Sequence, residues 1–277
     1  LIVIGGLGYP VLDNLYRMAR CRISARCRRD APLSDRRMTL HTKVVLTTTA
    51  TLYLAGVIVI AAAQLMPAVT DYFQLNVTAN RPAPAPMNLS TLGGVIADSS
   101  FLSVTSRTAG FNAMPMDELQ PAGQLGVMTL MMIGGSPGGT AGGMRTTTLA
   151  VLLLSIFATV RRRPHVEAFG RTIDDSLVRK AAVMVACFIG LVTVATLLLC
   201  MVEPFPFNKL LFEVVSAVTV TGLSLGITAE LTAFGKVVII IAMFLGRVGP
   251  LALLGALAFG AAPRRRYQYA REDVMVG

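Results

Sequence analysis

Two short stretches of this 277-residue chain carry residue types that could hold a bare cation through backbone atoms. They are Thr108-Ala109-Gly110-Phe111 and Val220-Thr221-Gly222-Leu223, each with small or hydroxyl residues around a glycine. Extended backbone at membrane depth can aim carbonyl oxygens at an ion and replace its hydration shell. Glycine allows the required φ values without a Cβ clash. Each stretch follows a moderately apolar segment of roughly ten residues, too short to cross a bilayer. A short helix that enters partway, followed by an extended return, is a re-entrant pore loop. The helix C-terminus would turn its partial negative charge toward the cation. Thr-Ala-Gly or Val-Thr-Gly alone occurs in many unrelated loops; the weight lies in finding two, matched in placement.

A third stretch interrupts an uncharged run. Gly134-Gly135, Gly138-Gly139 and Gly142-Gly143 form three glycine pairs, separated by Ser136-Pro137 and Thr140-Ala141. A phosphate-binding loop has the spacing G-x-x-x-x-G-K-[ST] after a strand. Gly138 to Gly143 matches that spacing, but Met144 and Arg145 stand where Lys and Ser/Thr are needed. A small-residue helix-packing motif is the second reading. It sits poorly with Ser136-Pro137-Gly138-Gly139, since glycine costs ~1 kcal/mol and proline ~3 relative to alanine inside a helix. The third reading is a break in a membrane helix, with non-helical backbone buried in protein or lining a water-filled path.

Two cations accompany these stretches. Arg145 follows the glycine pairs and is expected at the cytoplasmic side of the break. Arg247 lies midway along the otherwise uncharged run Val237 to Ala262. An arginine there costs at least ~2.5–3.5 kcal/mol unless it faces the interior. It reads equally as a structural arginine satisfied by helix-end carbonyls or as a charge beside a pore, and the two are compatible. Enzymatic chemistry has little support: the two histidines are far apart, and the four cysteines show no ligand spacing. No Asp or Glu lies in the long apolar runs. A secondary transporter with broken helices, which would use such groups, is therefore the weaker alternative.

The elements that must position these residues are membrane helices. The chain is 54% hydrophobic and only 14% charged, against roughly a quarter charged in soluble domains. Val44–Val69, Ala181–Val202 and Val237–Ala262 exceed the ~18 apolar residues of a spanning candidate, and Gln120–Val160 is long enough for two. The net charge of +10 is concentrated in Arg17–Arg37, Arg161–Lys180 and Arg264–Arg271. The positive-inside rule places all three in the cytoplasm, which explains the charge without a nucleic-acid partner. The chain must then cross an even number of times between clusters, giving two successive units of helix, pore loop and helix.

The stretches LIVIGGLGYPVLDNL, LHTKVVL, SRTAGFN, MIGGSPGGTAGGMRTTT, VTGLSLGIT and GRVGPLALL, in this order, resemble the Trk/Ktr/HKT superfamily of cation transporters. The likeness is to the C-terminal part of the KtrB-like potassium-translocating membrane subunit, and it runs over essentially the whole chain. The resemblance implies an all-α polytopic membrane protein of repeated helix–pore loop–helix units. These form a potassium-channel-like pseudo-tetramer, of which about two and a half of four units are here. Residues 1–17 would be the return helix of the second unit and 18–40 a cytoplasmic basic loop. Residues 41–160 would be the third unit, with its broken return helix. A second basic loop at 161–180 precedes the fourth unit at 181–262, and 263–277 would be a cytoplasmic tail. The first unit and two filter loops would belong to sequence preceding Leu1.

The resemblance further implies that carbonyls of Thr108, Ala109, Gly110, Phe111, Val220, Thr221, Gly222 and Leu223 line a potassium filter. It makes Gly134–Gly143 an intramembrane gate, and Arg247 and Arg145 pore charges near it. The implied function is potassium uptake across the bacterial plasma membrane, without enzymatic activity or a covalently bound cofactor. Sodium enters as a coupling or activating ion, and a Trk-type or sodium-permeable subunit is the alternative. Implied partners are the bilayer, a second copy in a homodimer, and a cytoplasmic nucleotide-binding subunit of the KtrA type. The basic loop 161–180 and the tail are its candidate docking surfaces.

Overall fold

The computed structural model describes residues 2–23, 38–75, 89–112, 114–139, 141–163 and 165–249. Thr140, most of the first basic loop, the tail 263–277 and the end of the Val237–Ala262 run lie outside the described residues. The chain is mostly helical. A short α1 (Ile2–Gly6) and α2 (Tyr9–Ile23) lead to a long α3 (Leu40–Leu75) and then α4 (Leu89–Thr105). A 3-10 turn, Met116–Glu118, precedes α5 (Pro121–Met132) and α6 (Thr146–Val160). After a small hairpin come α7 (Asp175–Val202), α8 (Phe207–Thr219) and α9 (Ala233–Val248).

Two of these helices are long and apolar enough to cross a membrane, Leu40–Met66 within α3 and all of α7, while α6 is a shorter apolar helix. The threonines of α3 do not break it. Thr47, Thr48 and Thr51 each donate their hydroxyl to a carbonyl four residues back, at 2.7–2.9 Å. Their polar groups are thus satisfied within the helix, as a lipid environment demands. The outer face of α7 exposes Val183, Ile189, Val194, Leu197 and Met201, an apolar surface suited to lipid. Asp174 caps α7 at its other end, its carboxylate accepting from Ser176 N–H at 3.1 Å.

Packing joins two successive groups. In the first, α3 runs against α4, α5 and α6; in the second, α8 sits between α7 and α9. The groups meet where α8 touches α5 and where α6 lies along α7. Their shared core contains Val127 and Met131 of α5, Phe188 and Leu199 of α7, and Leu210, Phe212 and Val218 of α8, all fully buried or nearly so. Small residues bring backbones together, as in membrane bundles generally. Gly56 of α3 faces Ser103 of α4, whose hydroxyl donates to Tyr53 O at 3.0 Å.

The structure departs from the sequence reading in two places. The first short helix runs from Leu89 to Thr105, 17 residues rather than the ten expected. Gly93 and Gly94 lie inside it with nothing within 4 Å of either added Cβ. The helical architecture carries one addition, a hairpin in the second basic loop, β1 (Val166–Ala168) paired antiparallel with β2 (Arg171–Ile173). Phe169 and Gly170 form its turn with φ of 51° and 74°, the paired positive values of a type I′ turn. Val166, Ala168 and Ile173 bury against Ala158 of α6, which roots the hairpin on the helix end.

Candidate functional site

Both short helices end in the same backbone pattern. After α4, Thr108 and Gly110 have φ of 67° and 72°; after α8, Val220 and Gly222 have φ of 56° and 90°. Ala109 and Thr221, between them, stay outside the positive-φ set. In both loops one residue outside the positive-φ region thus lies between two inside it. The pattern carries strain, because Val220 and Thr108 are β-branched and such residues are outliers at positive φ, each costing ~1–3 kcal/mol.

Hydroxyl groups hold the strained backbone in place. In the first loop Thr105 Oγ1 both accepts from Phe111 N–H and donates to Phe111 O, each at 2.8 Å. In the second, Ser216 Oγ accepts from Gly222 N–H at 3.2 Å, and the Thr219 and Thr221 hydroxyls bond at 2.7 Å. Gly222 is followed by buried Leu223, then Ser224, whose hydroxyl donates to the Glu213 carboxylate of α8. The two loops are neighbours: a Cβ added to Gly110 would collide with Thr221 O, and one on Gly222 would reach Gly110 Cα at 4.0 Å.

The glycine pairs form a closed, non-helical loop between α5 and α6. Its neck is a two-sided backbone clasp. Gly134 N–H donates to Met144 O at 2.8 Å, Met144 N–H to Met132 O at 3.1 Å, and Thr146 N–H to Gly135 O at 3.2 Å. Arg145 reaches back across the neck, its guanidinium donating to Ser136 O at 3.2 Å and Gly139 O at 3.4 Å. The crown rests on the α1–α2 junction, where Ser136 N–H donates to Gly6 O at 3.0 Å and Tyr9 N–H to Gly138 O at 3.4 Å. On the return limb, Gly142 lies against Thr219 O and the Val220 side chain at the end of α8. Gly246 of α9 approaches Val218 O from another direction. Glycine is required at both contacts, since an added Cβ would overlap backbone. The strained second loop is thus clamped between the glycine-rich segment and α9.

Residues 1–259 match the TrkH family of cation transport proteins. This chain belongs to that family. It is 33% identical over 282 residues to the potassium/sodium uptake protein NtpJ of Enterococcus hirae, covering 100% of this chain and 56% of the relative. The Ktr system potassium uptake protein B of Vibrio alginolyticus is 32% identical over 258 residues, covering 93% of this chain and 50% of the relative. The Ktr system potassium uptake protein D of Bacillus subtilis is 33% identical over 280 residues, covering 100% and 55%. The chain therefore spans about half the length of the curated relatives it matches. In fold it is similar to the crystal structure of the potassium transporter TrkH from Vibrio parahaemolyticus, with a TM-score of 0.64 at 16% identity. That match covers 94% of this chain and 50% of the other. Membership places the chain among membrane transporters and not among enzymes.

Within this TrkH-family chain the sequence-selected residues fall into separate groups. The two glycine-centred loops come together, and the glycine-rich segment lies against the second. Phe111 is 61% exposed, whereas its counterpart Leu223 is buried. Arg145, expected merely at the edge of the break, bonds the segment's own carbonyls. Arg247 is exposed in the last turn of α9, before Gly249, and bonds no described residue. A cation in a last helical turn is favoured by the helix dipole.

Three charged residues were not selected from sequence. Glu213 is 5% exposed behind the second loop. Glu203 is equally buried at the end of α7 and accepts from Thr232 N–H at 3.0 Å and Thr232 Oγ1 at 2.6 Å, fixing the start of α9. Arg107 directly precedes Thr108, with its Nε buried and without a partner among the described residues. Each was visible as a lone charge in an apolar segment, a signal that deserved the weight given to Arg247. Among the described residues, no cluster of His, Cys, Asp and Glu could hold a metal.

Proposed function

We propose that this chain forms the third and fourth helix–pore loop–helix units of a four-unit pore that carries potassium into a bacterial cell. The single observation that supports it most is the repeated φ pattern, Thr108 and Gly110 matched by Val220 and Gly222. Two loops of unrelated sequence reach the same strained conformation at the ends of short helices. The carbonyls of Thr108 to Phe111 and Val220 to Leu223 replace the hydration shell of potassium. The other two walls come from the rest of the protein. The names of the Ktr and NtpJ relatives support potassium as the ion, and the NtpJ name keeps a sodium-permeable variant as the second reading.

The segment Gly134–Gly143, held by Arg145, serves as the gate below the filter. Arg161–Lys180 and both basic ends face the cytoplasm, where the hairpin and the tail receive a KtrA-type nucleotide-binding subunit. The membrane part works as a homodimer, with sodium as a coupling ion. The test is uptake by the full-length protein in bacteria that lack other potassium uptake. Growth on low potassium is expected, and Gly222→Ser is expected to admit sodium. Failure of the intact, membrane-inserted protein to take up potassium or rubidium would sink the reading.

A further inference from the structure

A small cavity lies between the first loop and the neck of the glycine-rich segment. Its volume is ≈ 20 Å³, and its lining includes Thr49 of α3, Val104 and Arg107 beside the loop, Gly6, and Gly135 and Thr146 of the neck. A cavity needs about 10–15 Å³ to hold one water, and the water needs two to four polar partners. Two partners stand ready, because Thr49 Oγ1 and Arg107 Nε are both buried and without a hydrogen bond among the described residues.

Thr49 is the exception on its own helix. Thr47, Thr48 and Thr51 all satisfy their hydroxyls on carbonyls one turn back, whereas Thr49 does not. A buried hydroxyl that forgoes this easy bond, next to a guanidinium N–H with no acceptor, loses ~1–3 kcal/mol per group unless something fills the gap. A water accepts from Arg107 Nε–H and exchanges a bond with Thr49 Oγ1. The backbone at Gly135 and Thr146, already joined through Thr146 N–H and Gly135 O at 3.2 Å, forms the opposite wall.

We infer that this cavity is a structural water site through which Arg107 couples the Thr108–Phe111 loop to the neck of the glycine-rich segment. Arg107 is a positioning residue: it touches no transported ion but passes a shift of the neck to the residue that begins the filter. The inference rests on the gate-and-filter reading above, but the density of the water is read without any transport.

The test uses the full-length protein, with Thr49→Val as the isosteric change, Thr49→Ser as the conservative one, and Arg107→Gln. A high-resolution structure is expected to show one water peak within bonding distance of Arg107 Nε and Thr49 Oγ1, absent in Thr49→Val. Potassium leak in the unstimulated state is expected to rise about five-fold in Thr49→Val, the equivalent of one hydrogen bond. It is expected to stay at the parental level in Thr49→Ser. The double variant with Arg107→Gln should leak no more than the worse single variant, with potassium-to-sodium preference unchanged in Thr49→Val. An empty cavity, a peak that takes up bromide, or leaks that multiply in the double variant would each overturn the inference. Should Arg107→Gln fail to fold, the density and the Thr49 pair still decide.

Discussion

Gly110 is packed so closely on Thr221 that a methyl group at Gly110 would overlap the Thr221 carbonyl oxygen. Gly222 has no such neighbour; the nearest atom to its added Cβ is Gly110 Cα at 4.0 Å. Both have positive φ, so alanine costs ~1–2 kcal/mol at either place, and only Gly110 adds a collision with backbone. Gly110→Ala is therefore expected to lower rubidium uptake by the full-length protein at least ~10-fold, or ~1.4 kcal/mol in the barrier. Gly222→Ala should lose less. Equal losses would mean that the two loops are not in the contact described.

Arg145 ties the crown of the glycine-rich loop to its neck through Ser136 O and Gly139 O. Each such charge-assisted bond is worth roughly 1.5–3 kcal/mol when buried, and at the observed lengths the lower figure applies. Arg145→Gln is expected to loosen the loop and raise the resting potassium leak several-fold, with Arg145→Lys between it and the parent. Both bonds leave one guanidinium nitrogen, Nη1, so the compact ammonium of lysine can replace them in part. Efflux from loaded vesicles measures this, and an unchanged leak in Arg145→Gln would remove the loop from the path.

The helices, the two loops and the break were legible from Thr108-Ala109-Gly110, Val220-Thr221-Gly222 and the glycine pairs, because membrane length rules and glycine chemistry act locally. The strain at Thr108 and Val220 was not. Sequence suggests glycine at positive φ, whereas Val220 is the left-handed C-cap of α8, its N–H on Ala217 O, and the Thr105, Ser216 and Thr219 hydroxyls brace the neighbouring Phe111, Gly222 and Thr221. Arg145 was placed at the edge of the break because no spacing reveals that a side chain folds back nine residues. The hairpin at Val166–Ile173 was hidden inside a basic loop, its Phe169-Gly170 turn being an uncommon choice of residues for type I′. Glu213 lies on the short helix α8, outside the long apolar runs in which a lone charge stands out.

Asp174 gives a pH dependence outside the membrane segments. Its carboxylate is held below the ordinary aspartate range by hydrogen bonds from the Ser176 backbone and hydroxyl, and further by Arg179 and Lys180. A depressed pKa means that the folded state prefers the ionised form. The resulting stability is complete above the ordinary value of about 3.9 and is lost as pH falls through the lowered folded value. Asp174→Asn keeps a good helix cap but cannot titrate. Melting of the purified protein in detergent is expected to fall more steeply for the parent than for Asp174→Asn between pH 5 and the acid limit. Parallel curves would show that Asp174 is not ionised at the cap.

Glu213 carries the sharpest prediction for ion preference. Its buried carboxylate receives the Ser224 hydroxyl, and Ser224 Oγ in turn accepts from Gly226 N–H at 2.9 Å and contacts Thr228 Oγ1 at 3.0 Å. These bonds anchor the strand after Leu223 to the α8 helix, while Ser216 anchors the strand before it. Glu213→Ala removes the anchor and leaves Ser224 without its charged partner, a loss of roughly 1.5–3 kcal/mol. The strand can then widen, so potassium affinity is expected to weaken ~10-fold or more and sodium competition to increase. Glu213→Gln retains an acceptor for Ser224 and should show a smaller change in the same direction. Ser224→Ala should lose at least as much as Glu213→Ala, since it also gives up the bonds with Gly226 and Thr228, and the double variant should be no worse than Ser224→Ala, because the Glu213–Ser224 bond is already gone in it. The measurement is rubidium uptake across a sodium series, read as apparent affinity and maximal rate separately. A fall in rate alone, with affinity and sodium competition intact, would mean that Glu213 supports folding and leaves the filter untouched.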